Sequence, residues 1–203
     1  MKKAMAVLLA LAVLAACCGV CAESPAMQSV YIPEKKISVS VPEDYYVVTS
    51  ETEALPPALM LMGLTLDAVQ ALMRQGGLLM YAFAPDFTHE VQVLVDAGSD
   101  WPMDPNKVSD EQMIADFEKG GKKQFEATGY TLDSVDIYRN GKDVFYRLRA
   151  HNDQYHVVQY LTAVDGQHIL VQRTNYVGDF TPEQIRLTEQ MMDASDLRIH
   201  ERD

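Results

Sequence analysis

The chain has 203 residues, of which 29 are acidic and 17 basic, giving a net charge of −12. Nucleic-acid phosphates and anionic lipid headgroups repel a surface of that sign, and no basic stripe offsets it: Lys119, Lys122 and Lys123 stand among acids, and nucleic-acid binding is excluded. About 180 residues beyond the N-terminal segment suffice to bury roughly 70% of the unfolded chain's surface without covalent staples.

The N-terminus has the order of an export leader: positive Lys2 and Lys3, an uncharged apolar run from Ala4 to Ala16, then small residues. That run of roughly 13 residues falls short of the roughly 20 needed to cross a hydrocarbon core of about 30 Å. It reads as a removable signal peptide over residues 1–22. Two processing routes stay open. Leu14-Ala15-Ala16-Cys17 has the form of a bacterial lipobox, which would make Cys17 the lipidated N-terminus of a membrane-anchored protein. Val20-Cys21-Ala22 is a small-x-small site, which would release a chain beginning at Glu23. Either route removes two lysines and no acids, so the net charge passes from −12 to −14. Residues 23–203, read as a single domain, contain no cysteine and therefore no disulfide framework, thiolate metal site or Cys nucleophile.

Ser29 to Ile32 and Ile37 to Val41 alternate apolar and polar residues around Pro33-Glu34-Lys35-Lys36, the pattern of a β-hairpin. Tyr45 to Val48 follows as a short apolar segment. Leu55 to Gly63, after Pro56-Pro57, is Met-rich and fits a short helical turn. Thr65 then caps a helix through Gln75 with Leu66, Val69, Leu72 and Met73 on one face, stopped by Gly76-Gly77. Leu78 to Ala84 and Glu90 to Asp96 read as two strands. Gly98 to Asn106 is the longest loop and carries the single tryptophan, Trp101.

Ser109-Asp110-Glu111-Gln112 is a capping box opening a helix through Glu126, with Met113, Ile114, Phe117, Gly121 and Phe125 inward. Thr181-Pro182-Glu183-Gln184 repeats the signature with Pro at the first helical position, and Ile185, Thr188, Met191 and Met192 form the buried face. Between these helices lie four strand-like segments, Thr131 to Arg139, Asp143 to Ala150, Tyr155 to Val164 and His168 to Thr174. Asn140-Gly141 and Asp165-Gly166 among their connections are strong hairpin signals. A last short strand, Leu197 to Ile199, is expected after the final helix. The fold class is α+β: an antiparallel sheet, built of a meander plus an N-terminal hairpin, covered by helices.

This order of elements resembles the PsbP-like fold family, named for an extrinsic subunit of photosystem II and including small bacterial lipoproteins. The matching features are the hairpin ending in Ser40-Val41-Pro42-Glu43, and aromatic Tyr45-Tyr46 where relatives often carry Gly-Trp. A helix before a strand pair, the long helix, the meander Asp143 to Thr174 and the terminal helix starting Thr-Pro-Glu-Gln complete the likeness. The resemblance implies a PsbP-like α/β sandwich. It also implies a binding or assembly subunit, since members act mainly in that way; it implies no chemistry.

No catalytic constellation is found. There is no Gly-x-Ser-x-Gly elbow, no phosphate-cradling glycine loop, and no helical His pair among His89, His151, His156, His168 and His200. No enzyme activity, cofactor or metal is expected. Three weaker possibilities stay open: convergence of His151, His156 and His168 near one hairpin end, a Ca²⁺ loop at Asp96, Asp100 and Asp104, and soft-metal binding by thioethers. The expected function is a non-enzymatic, exported envelope protein that binds a protein partner or assists assembly, with Trp101 in its long loop as candidate contact. The alternative is a carrier of a small hydrophobic ligand through the flexible thioethers of Met60, Met62, Met73 and Met80; an uncharacterised enzyme is a second alternative.

Overall fold

The structure, a computed structural model, describes residues 25–96, 104–164 and 167–197. Strands β1 (Met27–Ile32) and β2 (Ile37–Pro42) pair antiparallel from Met27↔Pro42 to Ile32↔Ile37. The four-residue turn between them closes on Lys36, which holds φ at 54°. This hairpin is a sheet of its own. The main sheet has seven antiparallel strands in the order β3-β4-β5-β9-β8-β7-β6. They are β3 (Tyr46–Thr49), β4 (Leu78–Phe83), β5 (His89–Asp96), β6 (Thr131–Arg139), β7 (Val144–His151), β8 (His156–Val164) and β9 (Gln167–Asn175). The last four form the expected meander, and Val164 pairs directly with Gln167; Asp165 and Gly166 lie outside the described residues.

Alternation sends successive side chains to opposite faces. On the first face Val91, Val93, Met80, Ala82, Val158, Tyr160, Ile169 and Val171 form the largest core. The hairpin covers it with Ile32, Ile37, Val39 and Val41, and helix α5 (Pro182–Ala194) with Ile185, Met191 and Met192. Two polar joints fix these covers. Ser195, wholly buried after α5, accepts from the Ser40 amide at 2.9 Å and donates to the Met191 carbonyl at 2.7 Å. Arg147 of β7 reaches Asp136 at 2.6 Å and Glu189 of α5 at 2.6 Å.

The second face has two separate covers. Helices α1 (Pro57–Leu61) and α2 (Leu66–Gly76) lay Leu59, Val69 and Met73 over Val48 and Tyr81 of β3 and β4. Thr65 caps α2 by accepting from the Ala68 amide at 3.2 Å, and Gly77, at φ 64°, ends it in the left-handed conformation that glycine adopts without strain. At the other edge, α3 (Asp110–Asp116) passes through a π-helical stretch (Phe117–Gly121) into α4 (Lys122–Glu126). Met113, Phe117 and Phe125 there seal Tyr146, Leu148, Ala150 and Val157. The uninterrupted helix expected over this span is corrected: a five-residue π-turn breaks it, with Phe117 and Gly121 buried at its two ends.

Between the two covers the central strands carry polar side chains, which must bond one another where water is excluded. Gln159 donates to Gln172 at 2.7 Å, Gln172 to Thr174 at 3.2 Å, and Gln92 to Glu90 at 2.8 Å. Tyr81 donates to the buried Glu90 at 2.6 Å; burial and this carboxylate raise its phenol above the ordinary range. The expected last strand is represented by a single bridge, Ser38↔Asp196, and residues 198–199 lie outside the described residues.

Candidate functional site

The positions singled out in the sequence are dispersed by the fold. Cys17 and Trp101 lie outside the described residues, as do Asp100 and His200. The four methionines do not share a surface. Met73 is 3% exposed in the core under α2, Met80 is 0% exposed in the hairpin core on the opposite face, and Met60 and Met62 are 53% and 57% exposed. A concave apolar pocket lined by all four is therefore not formed.

Helix geometry explains the split. Helix α1 is a single turn, and only Leu59 points to the core. Its neighbours Met60 and Leu61 and the following Met62 and Leu64 project outward, Leu61 at 90% exposure. On α2 the inward stripe is Val69 and Met73, one turn apart, with Leu66 half-buried. Leu72, expected on that stripe, sits about a quarter of a turn off it at 54% exposure. The outcome is a ledge of exposed apolar side chains, Met60, Leu61, Met62 and Leu64 in one stretch of chain and Leu72 on α2. Exposed Glu51, Glu53 and Asp67 flank it in the chain, with one exposed base, Arg74. Exposed apolar surface bordered by polar groups is a recurring mark of an interaction site.

The histidines fall into three settings. His89 opens β5, stacks on Phe180 at 6.4 Å between ring centroids, and meets Gln184 Nε2 at 2.8 Å through its own Nε2. Burial first, then the Arg173 charge, lowers its pKa from the ordinary value. His168 pairs with Asp96 and Ala163 at the far end of the sheet from His156, so of the three histidines whose convergence the sequence left open, only two meet. His151 and His156 do converge, as a directly opposed pair across the β7–β8 turn, rings 5.4 Å apart and 27° from parallel. Asp133 joins them, with Oδ1 2.8 Å from His151 Nδ1. No ligand spacing along the sequence points to this group, because it is assembled by strand register.

No protein-family model and no curated protein matches the chain. Among solved structures, the solution structure of cyanobacterial PsbP (CyanoP) from Synechocystis sp. PCC 6803 superposes with a TM-score of 0.50 at 12% identity, covering 88% of this chain and 95% of that one. A crystal structure from Bacteroides thetaiotaomicron aligns at 9% identity and a TM-score of 0.41, over 85% of this chain but 48% of its own length. Nearly end-to-end coverage of CyanoP, with the hairpin, seven-stranded sheet and helical covers in place, shows that this chain has the PsbP-like fold.

Proposed function

We propose that the protein is a non-enzymatic, exported envelope domain that binds a protein partner through the ledge Met60, Leu61, Met62, Leu64 and Leu72. The exposure of five large apolar side chains over one short helical cover is the observation that carries this reading. Export rests on Lys2, Lys3 and the apolar run to Ala16. No helix among the described residues is long and apolar enough to cross a membrane, which is compatible with attachment through a lipid on Cys17 or with release.

The acidic flanks define the partner's chemistry. Glu51, Glu53 and Asp67 favour an apolar segment bracketed by lysines or arginines, and disfavour an acidic one. Flexible methionines at the ledge suit a surface that adapts to its occupant.

The test is co-purification from gently solubilised envelopes with wild-type protein and with Leu61→Asp combined with Leu72→Asp. Both leucines are exposed, so the double variant should keep its stability within about 0.5 kcal/mol per site. It should recover at least tenfold less of one defined partner, and raised salt should weaken wild-type capture. Equal recovery by wild type and variant would refute the assignment.

A further inference from the structure

Four segments meet at one end of the sheet. The β6–β7 register runs Thr131↔His151, Leu132↔Ala150, then Ser134↔Arg149, leaving Asp133 as the extra residue of a β-bulge. A bulge takes its residue out of strict alternation and re-aims the side chain. The Asp133 carboxylate accordingly reaches His151, whose ring faces His156. Asp179, in the loop after β9, places Oδ1 3.8 Å from His156 Nδ1, and its carbonyl is held by the Asn175 side chain at 3.2 Å. One potential ligand atom from each of Asp133, His151 and His156 lies within 4.8 Å of the other two.

We propose that Asp133, His151 and His156 form a binding site for a divalent transition-metal cation of the zinc type, with Asp179 as an adjacent fourth oxygen donor. The donor set selects the ion. Two imidazoles with carboxylate suit zinc, copper or nickel, whereas calcium and magnesium take oxygen ligands. Metal–nitrogen and metal–oxygen bonds of about 2.0–2.2 Å put neighbouring ligand atoms of a tetrahedron roughly 3.4 Å apart. The observed separations, bounded by 4.8 Å, exceed that value by no more than about 1.4 Å. The backbones of His151 and His156 are already fixed by the ladder between β7 and β8, so little ordering is left for the ion to impose.

Charge decides between a cation and an anion here. Asp133, Arg149, His156 and Asp179 line one pocket of ≈ 150 Å³. With neutral imidazoles, its two carboxylates outnumber its one guanidinium. This inference is independent of the apolar ledge, which lies across the sheet on α1 and α2 at the β3–β4 edge.

The experiment titrates the purified, chelator-stripped protein with ZnCl₂, read by calorimetry and by the imidazole carbon-bound proton signals. One ion should bind tightly per chain and shift the His151 and His156 signals while those of His89 and His168 stay in place. His151→Ala, His156→Ala and Asp133→Ala should each weaken binding at least tenfold, and CaCl₂ should not compete. Zinc that leaves the His151 and His156 signals of the wild-type protein unmoved would overturn the proposal. So would His151→Ala and His156→Ala variants, folded by circular dichroism, that bind zinc as the wild type does.

Discussion

Arg173 is almost wholly buried in β9, and its guanidinium donates to the Gln184 carbonyl at 2.6 Å and to the Thr188 hydroxyl at 2.9 Å. Burial lowers its pKa from the ordinary value, yet the charge is kept because α5 supplies acceptors and Phe180 lies 5.7 Å beneath it. Beside it, Gln184 settles the tautomer of His89. Its Oε1 accepts from the Thr181 amide at 2.8 Å, so its Nε2 is a donor and His89 Nε2 must accept. A proton on that nitrogen would set donor against donor. His89 therefore has a folded pKa below its unfolded one, depressed first by burial and then by Arg173. Its contribution to stability is complete above the unfolded value of about 6.5 and is lost as pH falls through the folded value. Urea denaturation at stepped pH should show stability declining below about pH 6.5, and His89→Gln should flatten that part of the curve. An identical decline in the variant would assign the effect elsewhere. Asp86, lowered by the Thr88 amide and hydroxyl, acts in a separate window, below the ordinary carboxylate pKa.

Among the elements, α5 is held at both ends by side chains that satisfy backbone groups. Its capping box occupies two amides at the N-terminus, and Ser195 ties its last turn to β2. Thr181→Ala should cost about 1 kcal/mol. Ser195→Ala, which strands the buried Ser40 amide without its acceptor, should cost about 1–3 kcal/mol; urea denaturation measures both, and a neutral Ser195→Ala would contradict the joint described here. The capping box was legible in the sequence, because it is a four-residue pattern whose bonds are local. The hairpins of the meander were legible for the same reason. What local pattern cannot supply is long-range register. The pairing of β5 with β9 joins distant segments, and the bulge that turns Asp133 toward His151 and His156 is a property of two strands together. The π-turn is likewise invisible to a 3.6-residue period. Met60 and Met62 were legible as apolar but not as outward, since a one-turn helix has room to bury a single residue, here Leu59.

At the scale of the whole molecule, an acidic chain of PsbP-like fold exposes apolar side chains on its α1–α2 cover. The proposed export and attachment are tested by intact mass of the protein from its native host. Anchoring predicts a membrane-fraction species beginning at Cys17 with added acyl mass, and release predicts a soluble species beginning at Glu23; a chain retaining Lys2 and Lys3 in the mature pool would refute export with cleavage. The ledge itself is tested most directly by placing a photo-crosslinking amino acid at Leu61 and, as control, at exposed Arg186 on α5. Irradiation of intact envelopes should give one discrete adduct from position 61 and none of that mass from 186, with the crosslinked partner peptide apolar and flanked by basic residues. No adduct at 61, or the same adducts from both positions, would contradict the account.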